Sequence, residues 1–364
     1  MQVAEEEAMR LKQLEAERLR NACKLVLVLD LDHTLLNSVR LNDVSPEHAA
    51  QLESILQQEA GHPHRLLYCL RDKNLWTKLR PFVHQFLEAC QPLFEMHIYT
   101  MGDRAYAAAV RALLDPQRRL FTSVISQNDS TSRSAKDLDV ALADDSLVLI
   151  MDDTEQVWPR HRRNLIQVER YHFFPASCRQ WGSDAASLLQ AGRDESSSQG
   201  TLSTCLQVLR QVHRRFFNAP GAELPLHRRN VCFTLAQRRA EILEGCHLVF
   251  SHCWPQGSTA CSSHPLWLLA ESLGAECHLD YSPDCTTHLV AGMANTSKML
   301  AAQADGKHVV APSWLQACYL RWQRVDEASC PVVSRRQPPE VTAPSAQQQL
   351  QQALGSAGGG GSTS

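Results

Sequence analysis

The sequence lacks long apolar runs and any large excess of charge of one sign. No stretch approaches the roughly 18 consecutive apolar residues of a membrane-spanning helix. The formal net charge is -3, so the chain as a whole is not a basic surface for nucleic acid or anionic lipid. Residues 1–22 are charged, are predicted to form a helix, and lack the apolar centre of a signal peptide. We therefore expect no direct contact with nucleic acid or a membrane.

Closely paired cysteines are also missing. The 13 cysteines are scattered without a Cys-x-x-Cys pair, and without a secretion signal they are expected to be reduced thiols. One region concentrates potential metal ligands, but their spacing is not that of a structural zinc site. We therefore expect the cysteines of that region to be free thiols. The potential ligands there are Cys246, His252, Cys253, Cys261 and His264.

Three apolar, β-rich segments each end in polar residues. They are Lys24 to Leu29, Phe94 to Tyr99 and Leu147 to Met151. Continuous apolar runs of this length are typical of strands buried on both faces of a parallel sheet. Helical patterns after Pro81 and Asp103 complete a βαβα order, which predicts a doubly wound α/β sheet. Residues 41–75 are predicted to be an irregular insertion with a hairpin around 65–70.

The residues that follow these strands are predicted to meet, because open α/β sheets bind ligands at the carboxyl ends of their strands. This places together Asp30, Asp32, Thr34, Thr100, Asp152 and Asp153. An Asp-x-Asp-x-Thr sequence directly after a buried strand presents two carboxylates from one turn. Such a pair suits covalent phosphoryl transfer, with Asp30 attacking phosphorus and Asp32 acting as the acid and base.

Two carboxylates repel a phosphate dianion unless cations neutralise the site. Oxygen ligands that are few and shared with water and phosphate favour Mg²⁺, with Asp30, the backbone carbonyl of Asp32, and Asp153 as predicted ligands. Thr100 and Lys136 are predicted to bind the phosphoryl oxygens, where the lysine matches the charge of the transition state. With Asp152 and Thr34, these residues complete the predicted catalytic site.

Four segments carry a resemblance to a known family: KLVLVLDLDHTLLNS, KLRPFVHQFL, MHIYTMGDRAYA and LIMDDTEQVWPRHRRNLIQVERYHFF. They resemble the eukaryotic RNA polymerase II carboxy-terminal-domain phosphatases of the haloacid dehalogenase superfamily. The resemblance implies dephosphorylation of phosphoserine in the heptad repeats of the polymerase tail, and hence a nuclear protein. It also implies that Arg80 engages the phosphopeptide. Around Gln127-Asn128-Asp129 the family's usual Arg-Asp pair is missing, and Arg133 is a candidate substitute.

The carboxyl-terminal part resembles a BRCT domain in LEGC, THLV, VAPSWL and WQRVDE. Trp314 is predicted to anchor its core. The resemblance implies docking to the polymerase tail or to general transcription factors, and a phosphate pocket formed by Ser251 and Lys298. His252 stands where such pockets commonly have glycine, whose backbone approaches phosphate closely. Phosphate binding here is therefore a weaker prediction than docking.

The predicted organisation has five segments. They are a charged helix at 1–22, a haloacid-dehalogenase-like phosphatase domain at 23–175, a linker and connector helix at 176–237, a small α/β BRCT domain at 238–335 and a disordered low-complexity tail at 336–364. Two alternatives to a polymerase-tail phosphatase remain open. One is a phosphatase for small metabolites, and the other is a catalytically silent scaffold that binds phosphoproteins through the BRCT domain.

Overall fold

The computed structural model describes residues 2–130, 132, 135–138, 144–182, 185–218, 225–255 and 261–333. Its helices are α1 Gln2–Asn21, α2 Pro46–Gln58, α3 Val83–Cys90, α4 Arg104–Leu114, α5 Pro175–Gln180, α6 Thr201–Asn218, α7 Val231–Ala240, α8 Pro265–Ser272, α9 Ser297–Ala304 and α10 Ser313–Arg321. Its strands are β1 Leu25–Leu29, β2 Leu36–Arg40, β3 Leu67–Leu70, β4 Leu75–Leu79, β5 Phe94–Tyr99, β6 Phe121–Ile125, β7 Val148–Asp152, β8 Leu165–Gln167, β9 His247–Ser251, β10 Glu276–His278, β11 His288–Ala291 and β12 His308–Val310.

The first domain is built on a five-stranded parallel sheet in the order β6-β5-β1-β7-β8. All five side chains of β1 are buried, as the continuous apolar run predicts. Asp103 caps α4 by accepting a hydrogen bond from the Tyr106 backbone N–H at 2.7 Å. The prediction of an α/β domain with a parallel sheet is confirmed, and Asp30 directly follows the sheet's central strand.

The insertion is more regular than predicted. Strands β2, β4 and β3 form an antiparallel sheet in that order, and Asn74 at φ +56° lies in the turn of the β3–β4 hairpin. The prediction that residues 41–75 are irregular missed α2, which begins after the capping residue Ser45. Only Leu52 of α2 is fully buried, so its apolar stripe is too narrow to stand out in the sequence.

The segment before α6 was predicted to be a linker or loose loop, and this was wrong for its described part. Ser187 and Leu189 are buried. The Lys78 Nζ atom lies 3.2 Å from Asp194 Oδ2, and Tyr171 Oη donates to Asp194 Oδ1 at 2.8 Å. The polar residues of this segment therefore form ion pairs and hydrogen bonds with the first domain, and they do not indicate a flexible linker. The connector helix α6 packs its apolar side against α3 and α7.

The second domain has a four-stranded parallel sheet in the order β10-β9-β11-β12, accompanied by α8, α9 and α10. Trp314 is fully buried and its indole N–H donates to the Val325 carbonyl at 3.0 Å, as expected for a core anchor. The short strand β10 was not predicted. The α/β class of this domain is confirmed.

The two domains pack against each other along β8. Trp322 Nε1 donates to the Gln167 carbonyl at 3.3 Å, and Arg239 donates to the Leu165 carbonyl at 3.0 Å. Arg321 pairs with Glu169 at 3.0 Å just beyond the strand. These contacts cover the outer edge of the sheet, which removes an exposed edge strand.

No helix in the described ranges is both long and apolar enough to cross a bilayer. Helix α1 is charged, as predicted, and it docks through the buried Ala16 and Leu19. The predicted tail at 336–364 lies outside the described residues.

Candidate active site

The turn after β1 is held to the end of β7 by the backbone. The Asp30 N–H donates to the Met151 carbonyl at 3.0 Å, and the Asp153 N–H donates to the Thr34 hydroxyl at 3.1 Å. His33 adopts a φ of +63°, which bends the chain back tightly enough for its N–H to reach the Leu36 carbonyl. Thr34 is fully buried, so its role in the structure is to join two strand ends.

Lys136 lies between two of the predicted carboxylates. Its Nζ donates to Asp30 Oδ1 at 2.5 Å and to Asp152 Oδ2 at 2.7 Å. Lys136 and Asp152 are at most 3% exposed and Asp30 is 7% exposed. Burial opposes charging of the lysine, but the two carboxylates outweigh it and raise its pKa above the ordinary value. The lysine therefore stays positively charged beside Asp30.

Asp152 is fixed by groups that sequence reasoning did not identify. The Trp158 indole donates to Asp152 Oδ2 at 2.8 Å, and the Thr154 N–H donates to Oδ1 at 2.8 Å. The Lys136 N–H donates to the Val157 carbonyl at 2.7 Å, which aims the lysine inward from an irregular segment. Asp152 thus orients Lys136, which in turn contacts Asp30.

Asp32 has a separate partner. The Tyr106 hydroxyl donates to Asp32 Oδ1 at 2.5 Å and lies 3.1 Å from the Ser38 hydroxyl. Burial raises the pKa of the Asp32 carboxyl above its ordinary value, and the tyrosine hydrogen bond opposes that rise. Burial also raises the pKa of Asp30, although Lys136 opposes the rise. Tyr106 was not among the predicted site residues; its position in the first turn of α4 was the available signal.

Three carboxylates form a potential metal site. Ligand oxygens of Asp30, Asp152 and Asp153 all lie within 4.8 Å of one another, and all three residues are buried. Asp153 also pairs with Arg170 Nε at 2.5 Å. Buried carboxylates this close repel one another unless cations compensate them, and a set of carboxylate oxygens suits a hard divalent cation. The carboxylate of Asp32 lies outside this cluster, consistent with its predicted ligand being the backbone carbonyl.

Thr100 follows β5, the neighbour of β1, and therefore lies at the same edge of the sheet as Asp30. It is 1% exposed, and its hydroxyl accepts a hydrogen bond from the Gly102 N–H at 2.9 Å. The Thr100 hydroxyl therefore stabilises the loop that follows β5. Its predicted contact with phosphate stays a prediction.

The prediction that Arg80 contacts substrate was wrong. The side chain is fully buried, and it makes a two-point contact with Glu195 at 3.0 and 2.6 Å. It also donates to the carbonyls of Thr34 at 3.0 Å and Glu169 at 2.8 Å. The guanidinium is therefore directed at the protein, where it joins the nucleophile loop to the segment before α6.

The predicted phosphate pocket of the second domain, formed by Ser251 and Lys298, stays a prediction. Ser251 is buried, with its hydroxyl 3.3 Å from that of Thr296. Lys298 is half-buried, and its Nζ donates to the Leu279 carbonyl at 3.4 Å. Arg133, the candidate substitute near Gln127, lies outside the described residues.

Comparisons with known proteins agree with this geometry. The family model described as NLI interacting factor-like phosphatase matches residues 25–189, and that of the BRCA1 C Terminus (BRCT) domain matches residues 238–319. The chain is 42% identical over 334 residues to "RNA polymerase II C-terminal domain phosphatase-like 4" of Arabidopsis thaliana, covering 90% of this chain and 74% of that protein. It is 40% identical over 313 residues to the "-like 3" protein of the same plant, covering 84% of this chain and 25% of that protein.

A solved structure shows the same arrangement. The structure described as Fcp1, an essential RNA polymerase II CTD phosphatase, superimposes with a TM-score of 0.64 at 26% identity and covers 89% of this chain and 100% of that one. The likeness therefore extends across both domains. The chain belongs to the family of RNA polymerase II C-terminal domain phosphatases, and it is a protein phosphatase with a carboxyl-terminal BRCT domain.

Proposed function

We propose that this phosphatase removes phosphate from serine in the heptad repeats of the RNA polymerase II tail, through a phosphoaspartate on Asp30. The observation that carries the chemistry is the buried Asp30 carboxylate held against Lys136, with Asp32 on the same turn. The names of the relatives carry the choice of substrate. The same substrate implies a nuclear location.

The chemistry proceeds in two steps on these side chains. A carboxylate oxygen of Asp30 attacks phosphorus while Asp32 gives its proton to the departing serine oxygen, so that the serine leaves as a neutral alcohol. Asp32, now ionised, removes a proton from water, whose oxygen attacks the same phosphorus and returns Asp30 as a carboxylate. The raised pKa of Asp32 supports its role as the initial acid.

Lys136 and Thr100 are proposed to bind the phosphoryl oxygens. Lys136 already carries a fixed positive charge beside the attacking carboxylate, so no reorganisation is needed as negative charge shifts in the transition state. Asp152 acts through Lys136 by holding its ammonium group. Thr34 acts by fixing the turn that carries both aspartates.

The residues present fit Mg²⁺. Asp30, Asp153 and the backbone carbonyl of Asp32 would hold it, leaving Asp152 to the lysine. When bound, the ion supplies positive charge that keeps Asp30 ionised despite its burial and lets a phosphate dianion approach. The BRCT domain is proposed to dock the phosphorylated tail or general transcription factors.

Phosphate release from a phosphoserine heptad peptide tests the proposal. Wild type is compared with Asp30→Asn and with Asp72→Asn, an aspartate exposed on the β3–β4 turn, each with Mg²⁺ or with a chelator. Release that needs Mg²⁺, disappears in Asp30→Asn and persists in Asp72→Asn is expected. Hydrolysis of an aryl phosphate without release from the peptide would reject the substrate. Cellular function retained by Asp30→Asn would favour the scaffold alternative.

A further inference from the structure

Two histidines and a cysteine bring potential metal-ligand atoms within 4.8 Å of one another at the edge of the BRCT sheet, and a glutamate lies beside one of the histidines. The Nδ1 atom of His247 lies 3.2 Å from His278 Nε2, 3.7 Å from Cys285 Sγ and 3.4 Å from Glu276 Oε2. The sulfur is also 3.9 Å from His278 Nε2. The ligand atoms of His247, His278 and Cys285 thus surround one small volume, and Glu276 lies next to it.

Strand pairing explains why three of these side chains meet. Strands β9 and β10 are parallel, with Glu276 directly beside His247. Side chains two residues apart in a strand point to the same face, so His278 follows Glu276 onto the face of His247. The two imidazoles stack with their centroids 5.5 Å apart.

Cys285 is brought to the same place by a short loop before β11. The Thr287 hydroxyl accepts from the His247 N–H at 2.8 Å, and the Thr287 N–H donates to the His247 carbonyl at 3.0 Å. The loop is closed on itself, because the Thr286 N–H donates to the Ser282 carbonyl at 2.8 Å. The thiol is therefore held beside His247 by backbone hydrogen bonds.

Hydrogen bonding alone does not account for this arrangement. A ring nitrogen has either one hydrogen or one lone pair, so His247 Nδ1 satisfies one neighbour and not three. Zn²⁺ with bonds of about 2.0–2.1 Å to nitrogen and about 2.3 Å to sulfur has tetrahedral edges of about 3.3 Å between nitrogens and about 3.6 Å from nitrogen to sulfur. The observed separations of 3.2 and 3.7 Å match these edges, and 3.9 Å is slightly longer.

We propose that His247, His278 and Cys285 bind a structural zinc ion, with Glu276 as the fourth ligand. Binding converts the thiol to a thiolate and releases its proton to solvent. The ion joins the edge strand β10 to the loop that leads into β11. It is a feature of the BRCT domain that does not depend on the proposed phosphatase chemistry.

A second histidine cluster in the described part of the chain does not support the same inference. His288, His308 and Glu327 also bring potential ligand atoms within 4.8 Å of one another. However, Arg324 Nε donates to Glu327 Oε1 at 2.7 Å, and another guanidinium nitrogen lies 3.3 Å from His288 Nε2. A positive charge therefore already lies against two of the three potential ligands.

The test measures zinc in the full chain, prepared without a histidine tag and dialysed with limiting Zn²⁺ and excess Mg²⁺. Wild type is expected to retain one zinc ion per chain. Cys285→Ser and His278→Ala should bind at least about 10-fold more weakly. Cys23→Ser, which changes another exposed cysteine, is the matched control and should bind as wild type does. Equal zinc in wild type and Cys285→Ser would overturn the proposal.

Co²⁺ adds a spectroscopic measurement that reports the ligand directly. Wild type loaded with Co²⁺ should show a thiolate-to-metal absorption band, which Cys285→Ser lacks and Glu276→Gln retains. Aryl phosphatase activity of these variants should equal that of wild type, which shows that they are folded. Loss of zinc in Asp153→Asn but not in Cys285→Ser would place the ion on the aspartate cluster and contradict the proposal.

Discussion

Replacing Glu195 with glutamine should destabilise the phosphatase without changing its affinity for substrate. Arg80 is fully buried and Glu195 is its counter-charge, with 20% of the glutamate side chain exposed. Breaking a buried ion pair from one side costs about 3–5 kcal/mol, because the remaining charge is left uncompensated. The glutamine oxygen still accepts one hydrogen bond, so we expect the free energy of unfolding to fall by about 3 kcal/mol, the lower end of that range. For a phosphatase domain that unfolds as one unit of about 150–250 residues, this corresponds to a melting temperature lower by about 6–12 °C.

The assay is thermal unfolding of wild type, Glu195→Gln and Glu88→Gln. Glu88 pairs with Arg119 at the surface, where 55% and 57% of the two side chains are exposed, so its loss should cost under about 1 kcal/mol. Adding Arg80→Met to Glu195→Gln should restore part of the lost stability, because no unpaired charge then remains buried. A melting temperature unchanged in Glu195→Gln, together with a raised KM for phosphopeptide, would refute the structural role of Arg80.

Three further predictions concern the site and the BRCT core. Lys136→Met should lower kcat for an aryl phosphate by about 10²–10³, because the transition state loses a preorganised charge; a change of only a few-fold would contradict this. Tyr106→Phe removes a hydrogen bond that lowers the pKa of Asp32, so the alkaline limb of the pH–rate profile should move to higher pH. An unchanged alkaline limb would contradict the view that Tyr106 sets the pKa of the catalytic acid. Burial lowers the pKa of His288 to about 4. Since an unfolded histidine titrates near about 6.5, unfolding takes up a proton between these values and stability falls as the pH is lowered through that window. The melting temperature should therefore depend less steeply on pH in His288→Gln than in wild type or in His308→Gln, and equal slopes would refute this.

The central strands were predictable because their signal is local. Continuous apolar runs identify buried strands, and topology brings their carboxyl ends together. Asp30 and the Asp152-Asp153 pair follow directly from that logic. The position of Lys136 does not follow from the strand pattern. The direction of its side chain depends on a backbone hydrogen bond to Val157, which no pattern in the sequence indicates.

The errors arose where a residue's role depends on a distant partner. The family resemblance alone assigned Arg80 to the substrate. A buried arginine is costly unless it is paired, and the partner of Arg80, Glu195, lies 115 residues away in a segment that was expected to be a linker. In the proposed zinc site, likewise, His278 and Cys285 lie 31 and 38 residues after His247 in the sequence. The cysteines and histidines that lie close together in the sequence are different ones.

The central claim is that Asp30 becomes phosphorylated during turnover. The most direct measurement is an acid quench of the phosphatase during hydrolysis of a phosphoserine peptide, followed by mass spectrometry of the peptide that contains Asp30 and Asp32. We predict a phosphoryl group on Asp30 that neutral hydroxylamine removes, as expected for an acyl phosphate, and its loss in Asp30→Asn. Turnover with no phosphoryl group on that peptide, or with the group on another residue, would contradict the mechanism.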